Sequence, residues 1–229
     1  LLHTLTDLGP CFIKLGQALS TRPDLVRRDW LEQLTRLQDD LPAFDHNLAL
    51  ATIEAELGAP AHSLFATFPN KPIAAASLGQ VYKAQLHDGR WVAVKVQRPN
   101  LQERLVLDLA VIRLLAQMVG PFLPLNLGDD LSAIVDEFGN TLFREIDYEL
   151  EADNAERFAS LFKEDPSIVI PGVERLLSAK KVLTTDWLDG VNLQERSVLE
   201  SNNLDPTTLV KAGVIAGLRQ LLEFGYFHA

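Results

Sequence analysis

Apolar residues recur at helical spacing through the first quarter of the chain, and this pattern predicts a helical segment over residues 1–57. Pro23 and Pro42 interrupt the segment, and Gly58 with Pro60 closes it. The residues that set the spacing are Leu15, Leu19, Trp30, Leu31, Leu34 and Leu37. The chain therefore begins with a helical part that precedes any strand.

Between residues 64 and 97 the pattern changes to short, strand-like runs. We predict strands over residues 64–68, 80–86 and 91–97. His87-Asp88-Gly89 separates the last two runs, and Asp-Gly is a strong hairpin signal. Pro99 stops the last strand, and Asn100 is predicted to cap the helix that follows.

Residues 101–163 are predicted to form two or three helices. The first is an amphipathic helix over about 101–119, followed by a turn at Pro121 and Pro124. It does not read as a membrane span, because charged residues and these prolines interrupt a stretch that would need about 20 apolar residues. The following apolar stripe indicates core packing, and its members are Leu131, Ile134, Val135, Phe138, Leu142, Ile146 and Leu150.

The last part of the chain returns to strands and then to a helix. We predict strands over residues 168–171 and 181–185. A helix over 206–224 follows, with Asp205 as its cap, Pro206 in its first turn and Gly225 at its end. Its apolar residues are expected to be buried, namely Leu209, Val214, Leu218, Leu221 and Leu222.

Composition narrows the class of protein. With 229 residues, the chain is long enough to bury a sizeable core. Its composition, 47% hydrophobic and 23% charged, is typical of a globular protein. Its net charge of −10 argues against a nucleic-acid-binding surface. Cys11 is the single cysteine, so the chain has no internal disulfide and no cysteine-based zinc site. Because residue 1 is Leu, we expect a fragment at that end.

The strand region carries candidate phosphate-binding chemistry. A kinase phosphate loop reads G-x-G-x-x-G-x-V and precedes a strand ending V-A-I-K. Here Gly79 and Val81 match, and Ala74 and Ala76 stand at the first two glycine positions. Val92-Ala93-Val94-Lys95 then places a lysine on the next strand. On these residues alone, a plain β-hairpin with a surface lysine remains the alternative to nucleotide binding.

Motifs elsewhere in the chain decide between these alternatives. The alanine-rich loop, Ala74-Ala75-Ala76, is one of four motifs along the chain. The others are Lys14-Leu15-Gly16-Gln17 before it, and Glu145-Ile146-Asp147 and the run 225–229 after it. Together they resemble the UbiB/AarF (ABC1-type) atypical kinase-like family, whose motifs are K-x-G-Q, an alanine-rich loop, E-x-D and G-[FY]-F-H-A-D-x-H-P-G-N. The resemblance covers essentially the whole chain.

The resemblance implies an α+β, protein-kinase-like fold of two lobes. Residues 1–63 would be an N-terminal helical extension that holds the K-x-G-Q motif. Residues 64–186 would be the N-lobe with a helical insertion over about 101–140. Residues 187–229 would be the hinge and the start of a C-lobe that is truncated before the catalytic loop.

The resemblance also implies roles for individual residues. Lys95 would contact the phosphates, and Glu151 would position it across a separation longer than in ordinary kinases. Glu145 and Asp147 would act near nucleotide and metal with Lys14 and Gln17, which would block peptide substrates. The nucleotide-binding residues would be Ala74, Ala75, Ala76, Ser77, Gly79, Val81, Ala93 and Lys95, with hinge residues Asp186, Trp187 and Leu188.

ATP and Mg²⁺ are the cofactors that the resemblance implies. The family pattern places an Asp directly after Ala229 and an Asn five residues further on, and a magnesium-binding Asp later still. The metal ligands are therefore expected beyond Ala229, and this fragment alone is expected to be inactive.

The function implied is an ATPase or a small-molecule or lipid phosphotransferase that supports isoprenoid quinone (ubiquinone) or prenyl-lipid metabolism. Expected partners are a nucleotide, prenyl lipid or quinone precursors, and biosynthetic enzymes, but no nucleic acid. The expected location is cytoplasmic or organellar, peripheral at a membrane. Two alternatives remain, a Ser/Thr protein kinase and a non-catalytic pseudokinase or lipid-binding scaffold that uses the 101–119 helix as its contact surface.

Overall fold

The computed structural model describes residues 2–21, 23, 26–35, 42–120, 131–191, 193, 199 and 201–227. The predicted turn at Pro121 and Pro124 lies outside these residues, as do His228 and Ala229 of the last motif. The helical N-terminal part is confirmed within the described ranges. Its helices are α1 (Leu2–Leu8), α2 (Pro10–Ser20), α3 (Arg28–Leu34), α4 (His46–Leu57) and α5 (Ala61–Leu64).

An antiparallel sheet follows these helices. Its strands are β1 (Ala74–Ala75), β2 (Gly79–Gln85), β3 (Trp91–Gln97) and β4 (Val182–Asp186), hydrogen-bonded in the order β1-β2-β3-β4. The strands predicted over 80–86, 91–97 and 181–185 are confirmed to within one residue. Gly89 ends the hairpin turn with φ 91°, a conformation that glycine adopts without a steric penalty.

Two predicted strands are wrong. In the 64–68 run, Leu64 ends α5, and Ala66 and Thr67 both hydrogen-bond to Gln85, where Thr67 forms an isolated bridge. Phe65 is fully buried there, so its apolar character serves the core rather than a strand. Residues 168–171 form no strand, and the isolated bridge in this region is Val173 with Thr185. Pro171 lacks an N–H, which disfavours a ladder at this point.

Residues 101–161 form helices at each predicted place that the structure describes. They are α6 (Leu101–Val119), α7 (Leu131–Glu145) and α8 (Tyr148–Leu161). The apolar stripe breaks between α7 and α8 because Asp147 caps α8, where its carboxylate accepts a hydrogen bond from Leu150 N at 3.2 Å. Asn100 occupies the N-cap position of α6 as predicted, but its backbone is left-handed at φ 53° and its side chain makes no cap hydrogen bond.

Separate apolar clusters hold these elements together. One face of the sheet packs against α4 through a cluster that includes Ile53, Tyr82 and Val94. A second cluster joins α2, α6 and α7 around Cys11 and Leu105. Burial raises the pKa of the Cys11 thiol to about 12, so this cysteine acts as a small apolar side chain. The opposite face of the sheet is left for the cleft described below.

A 3₁₀ turn (Arg175–Leu177) precedes β4, and the chain then continues to helix α9 (Pro206–Leu218) and a π-helical turn (Arg219–Phe224). Asp205 caps α9 and Gly225 ends the turn at φ 58°, both as predicted. The apolar residues of the helix predicted over 206–224 were expected to be buried, and this prediction is wrong, since Val214 is 56% and Leu222 is 82% exposed. In the described part of the chain, side chains of residues 219–227 contact α8 and the loop after it, and apolar residues of α9 such as Val210 and Val214 are exposed to solvent.

In the part of the chain that the structure describes, no helix combines the length and the apolar character needed to cross a bilayer.

The packing of α4 on the sheet predicts a graded effect of side-chain truncation. Ile53→Ala removes a fully buried side chain and is expected to lower the free energy of unfolding by about 2–5 kcal/mol, because a cavity remains in the core. Leu48→Ala on the same helix is the control, since Leu48 is largely exposed and its loss should cost far less. Urea denaturation measures both, and equal losses would contradict this packing.

Candidate functional site

A lysine and a glutamate meet on the open face of the sheet. Lys95 alternates with the buried residues Val94 and Val96 along β3, so its side chain leaves the face opposite the core. Its ammonium donates to both carboxylate oxygens of Glu151 on α8, at 2.8 and 3.0 Å. The pairing predicted between the strand lysine and the helix glutamate is therefore present.

A cleft of about 690 Å³ surrounds this ion pair. The strand register places Val81, Lys95 and Leu183 side by side on neighbouring strands, and Ala93 opposite Thr185 in the next row. Of the predicted site residues, five line the cleft: Val81, Ala93, Lys95, Glu145 and Glu151. The structure thus brings residues of β2 and β3, the first carboxylate of the E-x-D motif and Glu151 together around one space.

Other lining residues were missed from the sequence. They are Arg144, Asn154, Ala155, Phe158, Ile170, Pro171, Leu183 and Thr185. Leu183 pairs with Lys95 across the sheet, and Thr185 lies two residues further along β4 on the same face, so strand alternation would have found both. Helical spacing from Glu151 would have found Asn154, Ala155 and Phe158. The remaining three carry no local signal, because the tertiary fold brings them there.

The alanine-rich loop does not line the cleft. Ala74 and Ala75 form β1, and the N–H of Ala76 donates to Gly79 O at 2.8 Å, which closes a turn over Ser77. A side chain at Gly79 would sit 2.6 Å from Val96 O and 2.8 Å from the Tyr148 hydroxyl. Gly79 is therefore required here for close approach rather than for backbone conformation.

Arg98 fixes the position of the loop, a role that the sequence analysis missed. Its Nε donates to Ala76 O at 3.0 Å, and its Nη2 donates to Pro42 O at 2.9 Å. Its backbone N–H donates to Leu78 O at 3.0 Å. Burial lowers the pKa of the guanidinium, but it stays charged at neutral pH. Arg98 thus ties the loop to the segment that leads into α4.

The K-x-G-Q helix reaches the cleft through one ion pair. Lys14 on α2 donates to Glu145, the last residue of α7 and a cleft-lining residue. Gly16 is buried against the neighbouring helices, and α2 packs on both α6 and α7. Gln17 and Lys14 themselves do not line the cleft, and Asp147 serves as the cap of α8 instead.

Tyr148 lies between the charged groups and the loop. Its ring is fully buried, and the Lys95 ammonium lies 4.6 Å from the ring centroid. Among the described residues, its hydroxyl has no hydrogen-bond partner. Burial, followed by the charges of Glu151 and Glu145, raises the pKa of this hydroxyl, so it remains protonated.

The predicted hinge residues face away from the cleft. The Asp186 carboxylate accepts from Gly172 N at 3.0 Å, and the N–H of Trp187 donates to Trp91 O at 3.0 Å. The Trp187 ring lies under the Lys83 ammonium at 4.3 Å, and Leu188 is exposed. No side chain of Asp186, Trp187 or Leu188 lines the cleft, so an adenine contact there stays a prediction about backbone groups.

The described residues do not form a metal site. Within those ranges, no group of three or more His, Cys, Asp or Glu side chains could hold a metal ion. Glu145, the one E-x-D carboxylate in the cleft, is already paired with Lys14. Mg²⁺ binds through one or two carboxylates together with phosphate oxygens and water, so these residues do not by themselves account for it.

Residues 36–229 match the family model of the ABC1 atypical kinase-like domain. The chain belongs to the ABC1 atypical kinase-like family. The predicted family is thereby confirmed, and so is the mixed arrangement of helices and antiparallel sheet as a kinase-like ABC1 domain.

Two relatives show how much of an ABC1 protein the chain represents. An uncharacterized protein of Synechocystis sp. is 55% identical over 98% of this chain and 40% of its own length. The chloroplastic protein ACTIVITY OF BC1 COMPLEX KINASE 1 of Arabidopsis thaliana is 45% identical over 99% of this chain and 33% of its own length. The chain thus spans well under half of these ABC1 relatives.

A solved structure shares the fold of this ABC1 domain. The Mycobacterium tuberculosis protein Rv3197, solved in complex with erythromycin, is 36% identical and superposes with a TM-score of 0.55. The match covers 79% of this chain and 45% of that one.

The close approach at Gly79 predicts a specific loss of stability. Gly79→Ala is expected to lower the free energy of unfolding by about 1–3 kcal/mol, because the new methyl group would displace the Val96 carbonyl or the Tyr148 ring. The control is Gly217→Ala in α9, where the added methyl group meets no neighbouring atom and helix propensity improves. Urea denaturation compares them, and an unchanged midpoint for Gly79→Ala would contradict the described contact.

Proposed function

We propose that this ABC1 domain binds ATP in the cleft around Lys95 and serves the phosphoryl chemistry of a kinase-like protein. The observation that carries the proposal is the two-oxygen contact of Lys95 with Glu151 inside a cleft of about 690 Å³. A lysine so placed supplies a point charge to phosphate oxygens, and the glutamate limits where that charge can move.

The lining of the cleft supports a nucleotide as the ligand. Val81, Ala93 and Leu183 offer an apolar surface of small and branched side chains on the sheet. Lys95 adds a positive charge to the same wall of the cleft. The volume of the cleft falls in the range of small-molecule sites. An aromatic base on the apolar part and phosphates near Lys95 would satisfy both halves of the cleft.

The Lys14–Glu145 pair favours a small substrate over a protein substrate. It attaches α2 to a residue that lines the cleft, and so holds the K-x-G-Q helix at the edge of the site. In this proposal, a helix held beside the cleft would hinder a peptide substrate more than a small molecule. We therefore place an ATPase or a phosphotransferase for quinone or prenyl-lipid metabolism ahead of a Ser/Thr protein kinase.

A scaffold that binds a lipid surface is the second candidate. One observation favours it: the outer face of α6 exposes apolar side chains at helical spacing, namely Leu107, Val111, Leu114, Leu115 and Met118. Flotation with vesicles of anionic phospholipid tests it. Leu115→Glu should abolish flotation if α6 is the contact, whereas Gln102→Glu on the same helix should not.

The ATP proposal predicts a selective effect of lysine replacement. Lys95→Ala should weaken ATP binding about tenfold or more, since a charge-assisted contact is worth about 1.5–3 kcal/mol. Lys181→Ala is the matched control, because Lys181 also pairs with a glutamate, Glu56 at 3.9 Å, but lies outside the cleft. Calorimetric titration measures both variants, and wild-type affinity in Lys95→Ala would remove the cleft as the ATP site.

The alanine-rich loop provides a further test of where the phosphates lie. Ala74→Gly and Ala76→Gly each remove a methyl group and let the backbone approach a phosphate more closely, so the affinity for ATP or ADP should change. Titration with each nucleotide measures this. If both variants bind both nucleotides as the wild type does, the loop does not cover the phosphates.

A further inference from the structure

One buried side chain attaches the E-x-D segment to the sheet. Gln97 is the last residue of β3 and is 2% exposed. It lies two residues after Lys95, so both side chains leave the same face of the sheet. The side-chain amide of Gln97 donates to the carbonyl oxygen of Ile146 at 2.6 Å. Ile146 stands between the two acidic residues of the motif, Glu145 and Asp147, so the strand that carries the lysine also holds the backbone of the motif.

Gln97 is fixed by the sheet and not by the helix that it helps to hold. Its backbone N–H donates to Lys181 O at 3.0 Å, just before β4 begins. On its other side it pairs with Gly79 of β2. The place of its amide therefore follows from the ladder, as does the place of Lys95 two residues earlier.

The segment between α7 and α8 is hydrogen-bonded to the sheet region at two points. The first is the bond from Gln97 to Ile146 O. The second joins the N–H of Tyr148, the first residue of α8, to Lys180 O at 3.1 Å. The start of α8 is thus placed against the end of β3 and against the residues that lead into β4.

Both acidic residues of the cleft lie close to this attachment. Glu145 directly precedes Ile146, and Glu151 follows it by five residues, in the first turn of α8. If the segment moves away from β3, these carboxylates move with it, whereas Lys95 stays with the strand. The distance between Lys95 and Glu151 therefore depends on how the segment is attached to the sheet.

We propose that Gln97 is a positioning residue, whose amide holds the backbone of the E-x-D segment so that Glu151 stays paired with Lys95. The inference rests on the proposed function of the cleft for its consequence in ATP binding, while its geometric part concerns the ion pair alone. An apolar side chain of similar size would fill the same space but would leave the buried Ile146 carbonyl without this donor.

The experiment reads the ion pair without nucleotide. The intact protein is treated with an amine-acetylating reagent, and modification of Lys95 is followed by mass spectrometry, with the exposed Lys71 as the internal reference. Gln97→Met keeps the length of the side chain and removes the donor. We expect Lys95 to react about two- to fivefold faster relative to Lys71, because one hydrogen bond is lost while the bond from Tyr148 to Lys180 remains.

Thr184→Val is the matched control for a general loosening of the fold. Thr184 is fully buried in the sheet, and its hydroxyl donates to Leu177 O at 2.6 Å, but it does not line the cleft. This variant also loses one buried side-chain bond to a backbone carbonyl, and it should leave Lys95 at its wild-type rate. Glu151→Gln sets the upper limit of Lys95 reactivity, and Gln97→Met should add nothing to it.

A titratable replacement tests the donor itself and gives a second reading if Gln97→Met does not fold. In Gln97→Glu, the protonated carboxyl still has an O–H to donate to Ile146 O, whereas the ionised carboxylate has none. The ratio of Lys95 to Lys71 modification is divided at each pH by the wild-type ratio, which cancels the titration of the lysines. This quotient should lie near one at low pH and rise as the buried carboxyl ionises.

Wild-type reactivity of Lys95 in Gln97→Met overturns the inference, as does an equal increase in Thr184→Val or a flat pH profile in Gln97→Glu. ATP titration of the same proteins separates the two proposals. If Lys95 responds as expected and the wild type binds no ATP, the positioning role of Gln97 stands and the proposed function of the cleft fails. Weaker ATP binding in Gln97→Met, together with faster Lys95 modification, supports both.

Discussion

The contact between Lys95 and Glu151 is the interaction around which the cleft of this chain is arranged. Both side chains are partly exposed, so the pair adds little to the stability of the fold. Its value lies in geometry, because the two residues come from a strand and a helix separated by 56 positions. The β-ladder fixes one partner, and the cap and contacts of α8 fix the other.

Two polar contacts made outside the cleft fix the elements around it, one from Arg98 after β3 and one from Lys14 on α2. Arg98 binds the carbonyls of both Ala76 and Pro42, so the alanine-rich loop and the approach to α4 share one anchor. Lys14 meets Glu145 where α7 ends beside the cleft. The Lys14–Glu145 pair adds a polar contact to the apolar cluster that already joins α2 to α7, so the K-x-G-Q helix is attached beside the cleft.

The pattern predicted regular elements well where the signal was local. Strands β2 and β3, with their Asp-Gly turn, and helix α6 follow from short-range alternation, spacing and turn residues. The runs at 64–68 and 168–171 failed because apolar residues such as Phe65 fill a core from an irregular segment as readily as from a strand. Asn100 lies at the predicted N-cap position, but its left-handed backbone, which the sequence does not reveal, leaves its side chain without a cap bond.

The sequence by itself determined the family, the order of the elements and the lysine and glutamates of the cleft, because these depend on motifs and on short-range periodicity. Only the tertiary structure decided which residues share the cleft with them. Asn154, Thr185 and Ile170 lie far apart in sequence and meet because strand register and the position of α8 bring them together. Such contacts depend on how distant segments pack against each other, and the spacing of residues along the chain does not reveal which segments will be neighbours in space.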